Sequence, residues 1–176
     1  MANQGKEKYV GIGEVHLGFS NDHLKISSLG SCIGLIIYPN DDNDNRCATM
    51  GHIMLPKAPS NESNKVKRKS KWEATRFADI AVPVMIKNLN KAVGHRSGRR
   101  EVFVAKMIGG AEMFGMTKLS YKIGKENTRM TKQLLKQNKI PLIKEFTGGD
   151  TGMSVDFKVS DYTLRIKPTG GESFEI

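Results

Sequence analysis

An α+β fold is predicted for this chain of 176 residues on three observations. Short runs rich in β-branched and aromatic residues outnumber the stretches with helical periodicity. Their order is not a regular alternation of strand and helix, which argues against a parallel doubly wound sheet. The length suits one domain that can close a core without metal or disulfide support.

Residues 1–8 are polar and read as a flexible tail, with a single domain over residues 9–176. Residues 9–17 carry Val10, Ile12 and Val15 among glycines and read as a first strand that Gly13 and Glu14 interrupt. Residues 19–23 form a turn, and residues 24–28 a second strand. Ile33-Gly34-Leu35-Ile36-Ile37-Tyr38 is almost unbroken apolar sequence and reads as a buried strand. Residues 39–46, rich in Asp and Asn, cap their own backbone in a hairpin-like loop. The acidic cluster lacks the Gly and distal Glu of a calcium loop, so no metal is expected there. Residues 47–55 return as a strand and carry His52.

Residues 57–71 are a basic loop containing Lys65, Lys67, Arg68, Lys69 and Lys71, charges that repel one another. Residues 72–93 have helical spacing through Phe77, Ile80, Ala81, Val84 and Leu89. Pro83 is expected to kink or restart that helix. Residues 94–100 form a second basic loop, and residues 102–108 a strand that runs into Gly109-Gly110. Residues 124–138 are a helix with Ile123, Asn127, Met130 and Leu134 along one face. Residues 142–146, 154–159 and 164–167 complete a set of short strands.

The net charge is +10, from 28 Lys and Arg against 18 Asp and Glu. Such an excess favours acidic partners or a solvated basic face. A nucleic-acid arm around residues 65–71 would lack stacking aromatics apart from Trp72, which argues against that partner. No apolar run approaches the length that spans a bilayer, so membrane insertion is not expected. The polar N-terminus has no secretory signature. Both cysteines, Cys32 and Cys47, are therefore expected as thiols in a reducing cytoplasm.

The chemistry gathers at Gly30-Ser31-Cys32, a small-residue corner directly after a strand, and at His52 on the returning strand. Covalent catalysis by a thiolate needs a nucleophile at an accessible corner and a base within reach. A hairpin pairing these strands brings the two together. The backbone amides of Ser31 and Cys32 are candidates for an oxyanion site. A lone cysteine is more often a small buried hydrophobe, and a lone histidine more often structural. Spacing alone therefore does not decide the matter. Cys47, His16, His23 and His95 have no supporting constellation, and no Cys/His spacing makes a zinc site.

Five ordered motifs do decide it. Gly30-Ser31-Cys32 with His52-Ile53-Met54-Leu55-Pro56, then Phe77-Ala78-Asp79, Ile108-Gly109-Gly110-Ala111-Glu112-Met113-Phe114, Ile123-Gly124 with Asn127, and Thr147-Gly148-Gly149 follow one another along the chain. The sequence resembles the CheD family of chemoreceptor glutamine deamidases over nearly its whole length, from about Val10 onward. The resemblance implies a mixed β-sandwich flanked by helices, shared with a bacterial toxin family of glutamine deamidases. It implies Cys32 as nucleophile and His52 as base, hydrolysis of receptor glutamine side chains to glutamate through a thioester, and a parallel action on receptor methyl esters. Gly30, Gly109, Gly110, Gly148 and Gly149 are implied as motif support near the active-site side. The implied partners are chemoreceptor cytoplasmic helices and a CheC-like phosphatase, with no cofactor. A regulatory module that binds CheC without catalysis is the alternative.

One departure stands out. The family places a threonine six positions before the cysteine, and here that residue is Ile26. Ser27 is the expected substitute, provided the strand is locally irregular. Ser28 or a backbone carbonyl are the other candidates to orient His52.

Overall fold

The computed structural model describes residues 5–40, 46–59, 74–94, 102–112 and 118–176. It is an α+β sandwich of two five-stranded mixed sheets, with helices on one outer face. The strands are β1 Glu7–Tyr9, β2 Val15–Phe19, β3 His23–Leu29, β4 Ile33–Pro39, β5 Cys47–Ile53, β6 Phe103–Gly109, β7 Leu142–Thr147, β8 Met153–Lys158, β9 Thr163–Pro168 and β10 Phe174–Glu175. The two helices among the described residues are α1 Ala78–Val93 and α2 Lys118–Gln137. One sheet runs β1-β3-β8-β9-β10, and the other runs β2-β5-β4-β6-β7.

Burial explains the layering. Every residue of β4, β5 and β6 is buried, because the second sheet is covered on both faces. Ile36, Tyr38, Ala48 and Met50 face the first sheet and meet Leu24, Ile26, Leu29, Phe157 and Leu164 in the inter-sheet core. Ile33, Leu35, Ile37 and Ile53 face outward against Ala81, Val82, Met85 and Leu89 of α1 and Leu135 of α2. By contrast β8 alternates buried and half-buried positions, as expected where one face meets the core and the other meets water.

Several boundaries differ from the sequence expectation. The first strand begins at Glu7, inside the segment read as a tail. It pairs in parallel with β3, and Lys8 forms a 2.7 Å ion pair with Asp22. Residues 9–17 split at Gly13, which takes a φ of +79°. Helix α1 passes through Pro83 without interruption. Pro83 is solvent-exposed, so the carbonyl deprived of its helical donor has water available. Helix α2 starts six residues before Gly124. That glycine therefore serves close packing, not a helix terminus: a Cβ there would sit 2.6 Å from the Gly110 carbonyl oxygen. The Asp/Asn-rich positions 41–45 and the basic positions 60–73 lie outside the described residues. No helix among the described residues is long and apolar enough to cross a membrane.

Candidate active site

Cys32 occupies the turn between β3 and β4 and is half-buried. The three carbonyls of this turn are all tied down. The Gly30 oxygen accepts from the Ala111 N–H at 2.9 Å, and the Cys32 oxygen from the Gly110 N–H at 2.8 Å. The Ser31 oxygen accepts from Asn127 Nδ2 at 2.9 Å. Among the described residues no backbone acceptor takes the Ser31 or Cys32 amide. The turn thus spends its acceptors inward, and its two amide donors find no acceptor among the described residues.

The glycine pairs make this grip possible. Gly109 has a φ of +104°, and a Cβ there would collide with the Cys32 carbonyl oxygen. Gly110 follows at +66°. Only glycine adopts such angles without strain and lets backbones come so close. Gly148 and Gly149 take φ of +85° and +73°. The Gly148 N–H donates to Gly109 O at 2.9 Å, and Gly149 O accepts from the Glu112 N–H at 2.8 Å. The distant Thr147-Gly148-Gly149 motif therefore braces the segment that holds Cys32.

His52 lies on β5, directly opposite Gly34 of β4, and is only 3% exposed. Opposed residues of an antiparallel pair share a face. At Gly34 that face is the inter-sheet one, since a Cβ there would meet Ile26 and Leu29 side chains. Cys32, two residues before Gly34, packs against the same inter-sheet core. Cys32 is therefore one diagonal step from His52; such diagonals separate Cα atoms by about 7–8 Å in a regular ladder. The place a side chain would take at position 34 is filled by Leu29 and Ile26.

The imidazole is oriented by backbone. His52 Nδ1 lies 3.3 Å from the Val10 carbonyl oxygen. A carbonyl only accepts, so Nδ1 carries the hydrogen and Nε2 keeps its lone pair. Nε2 is buried with no hydrogen-bond partner among the described residues. Burial pushes the His52 pKa below its usual value, against smaller upward effects from the Val10 carbonyl and the Glu14 charge. Burial also pushes the Cys32 thiol up. The resting pair is therefore neutral at physiological pH, and the thiol needs a base to give up its proton.

Ile26, at the position of the family threonine, is 1% exposed in the inter-sheet core. The ladder between β3 and β8 does shift register between Ile26 and Leu29. Ser27, however, opens onto a groove of about 500 Å³ on the outer face of the first sheet, beside Lys25, Asp156 and Arg165. Ser28 is exposed as well. The hydrogen-bond partner of the ring is the Val10 carbonyl.

The sequence after His52 is anchored to the start of α1. The Met54 and Leu55 amides both donate to Arg76 O at 2.9 Å, and the Ala78 N–H donates to Leu55 O at 2.9 Å. The Asp79 carboxylate accepts from the Ala58 N–H at 3.1 Å. The Phe77-Ala78-Asp79 motif is thus the seat of the Met-Leu-Pro segment. Two contributors escape a reading of residue types. One is the Val10 carbonyl, which any side chain could carry. The other is the contact that Asn127 makes: the residue stands in the motif, but its bonds to Ser31 O and Met54 O have no sequence signal.

Comparison with known proteins bears on the family of the chain. Residues 54–168 match the CheD family model, described as CheD chemotactic sensory transduction. The Chemoreceptor glutamine deamidase CheD of Bacillus velezensis is 36% identical over 160 residues, covering 90% of this chain and 89% of that protein. The Probable chemoreceptor glutamine deamidase CheD of Clostridium botulinum is 34% identical over 173 residues, covering 97% and 98%. With a family match over most of its length, and relatives aligned along almost all of it, this chain belongs to the CheD family.

Proposed function

We propose that this chain deamidates glutamine side chains on chemoreceptor cytoplasmic helices, with Cys32 as nucleophile and His52 as general base and acid. His52 Nε2 takes the Cys32 thiol proton as Sγ attacks the carboxamide carbon. The resulting oxyanion is met by the Ser31 and Cys32 amides. Collapse breaks the C–N bond, and the His52 imidazolium protonates the leaving nitrogen, which departs as ammonia. A thioester remains on Cys32. His52 then draws a proton from water as its oxygen attacks the thioester, releasing glutamate and restoring the thiol. A receptor methyl ester follows the same path with methanol as the leaving group.

The observation that carries this reading is the division of labour at the turn. Its three carbonyls are tied inward, its two amides find no acceptor among the described residues, and a neutral imidazole whose Nε2 has no partner among them lies one diagonal step away. Ile12 and Met54 are exposed. Ile12 precedes Gly13, whose N–H donates to His52 O at 2.9 Å, and Met54 follows His52 by two residues; together they offer an apolar rim suited to a helical partner. The net charge of +10 favours an acidic one. A CheC-like phosphatase would compete for this same rim, and the reaction belongs to the cytoplasm, where receptor signalling helices lie.

The test is incubation of the protein with a receptor cytoplasmic fragment from the same organism, followed by peptide mass spectrometry. Glutamine-to-glutamate conversion that disappears in Cys32→Ala supports the proposal. A fragment that binds but is left unmodified by the wild type removes it in favour of a binding module.

A further inference from the structure

We propose that Asn127 is a positioning residue that fixes the separation of nucleophile and base. Its single amide nitrogen ties the Cys32 turn to the end of the His52 strand. The proposal rests on the Cys32–His52 reading above. Asn127 Nδ2 donates to Ser31 O at 2.9 Å and to Met54 O at 3.0 Å. Ser31 immediately precedes the nucleophile, and Met54 follows the base by two residues. Both neighbours are carbonyl oxygens, so the nitrogen and not the oxygen of the amide must face them. The two hydrogens of one NH2 diverge, and each takes one carbonyl. A hydroxyl has one hydrogen and can hold only one.

The anchor itself is rigid. Asn127 has no exposed surface, and it lies one turn beyond Gly124 on the same side of α2. Gly124 packs directly against the Gly110 and Ala111 carbonyl oxygens, within 2.6 and 2.9 Å of where a Cβ would stand. Those two residues supply the N–H groups that hold Cys32 O and Gly30 O. The helix, the glycine pair and the turn therefore form one packed unit. The β4–β5 ladder already pairs Ile33 with Ile53 and Gly34 with His52, and the Met54 contact adds a second tie, from that unit to the residue just beyond β5. Without it, the end of β5 keeps its ladder pairing with β4 and its bonds to Arg76 but loses the side-chain brace that holds Met54 and Ser31 to one nitrogen. Misplacement of reacting groups by about 1 Å costs on the order of 10²-fold in rate.

The test compares Asn127→Ala with Leu134→Ala, a half-buried neighbour on α2 that packs against the helix-side core. Deamidation of the receptor fragment is measured as separate kcat and KM. Alkylation of the Cys32 peptide by iodoacetamide is followed across pH in both, in the wild type and in His52→Gln. The expected result is a fall in kcat of about 10²-fold for Asn127→Ala with little change in KM, and near wild-type kcat for Leu134→Ala. The Asn127→Ala alkylation profile is expected to match that of His52→Gln. Should Asn127→Ala not fold, Asn127→Ser carries the same test with one carbonyl still held. Wild-type kcat and an unchanged alkylation profile in the Asn127 variant, whatever its melting temperature, would overturn the proposal. A wild type that fails to deamidate but loses its His52-dependent profile on Asn127 substitution would leave the positioning role standing and remove the receptor reading. Identical profiles for wild type and His52→Gln would remove the pairing and this role together.

Discussion

His52 Nδ1 faces the carbonyl oxygen of Val10, 42 residues earlier in the chain, at 3.3 Å. Val10 is itself held by its N–H, which donates to Lys25 O at 2.8 Å. The residue after β1, at the edge of the first sheet, thus sets the tautomer of a histidine on the second. A backbone carbonyl occupies Nδ1 of the ring.

A neutral His52 with a depressed pKa sets the acid side of the pH profile. The imidazole is the active form as a base, and protonation abolishes it. Because the folded pKa lies below the ordinary 6.5, the acid limb of kcat/KM is expected below that value. A profile of receptor-fragment deamidation, run at constant ionic strength, reads it directly. A limb above 6.5 would mean that burial does not govern this ring.

Glu14 offers a way to move that limb. Its charge raises the His52 pKa, while its carboxylate accepts from the Gly11 N–H at 2.9 Å. Glu14→Gln removes the charge and keeps an acceptor. The His52 pKa then falls further, and the acid limb shifts to lower pH with kcat at neutral pH retained. Shift of the limb in the opposite direction would contradict the assignment of the limb to His52.

Ile26→Thr places a hydroxyl at the family position. In this chain Ile26 is core, and the ring already has the Val10 carbonyl. The substitution is expected to cost about 2 kcal/mol of stability, from lost burial and an added polar group, without raising kcat. Denaturant unfolding and steady-state kinetics measure the two effects. A marked gain in kcat would show that the carbonyl is an inadequate substitute.

Gly109→Ala tests the grip on the turn. The strained φ alone costs about 1–3 kcal/mol, and the added methyl collides with the Cys32 carbonyl. Activity should fall more steeply than stability, because the collision displaces the nucleophile. Activity that merely tracks the folded fraction would place the glycine in folding only.

The strands were legible where apolar sequence is continuous, as in β4, or bounded by turn residues, as in β5. Features made by backbone alone were not. Strand β1 depends on parallel pairing of Glu7-Lys8-Tyr9 with β3, which leaves no hydrophobic pattern. Strand β10 is two residues long. Gly124 suggested a helix start because propensity cannot distinguish a terminus from a close contact. At the site, Cys32 and His52 were legible as motif residues. Their contacts were not: the Val10 carbonyl has no side-chain signature, and Asn127, legible as a motif residue, acts on residues 96 and 73 positions away. The ladder is irregular after Ile26, yet Ser27 keeps the ordinary alternation and lines the outer groove with Lys25.

The most direct test of a Cys32 thioester is interception with hydroxylamine during turnover. An acyl-enzyme partitions between water and the stronger nucleophile, so the target residue becomes a γ-glutamyl hydroxamate. The account predicts hydroxamate at the same receptor position that otherwise becomes glutamate, with both products absent in Cys32→Ala. Glutamate formed with no hydroxamate, and formed equally by Cys32→Ala, would contradict it.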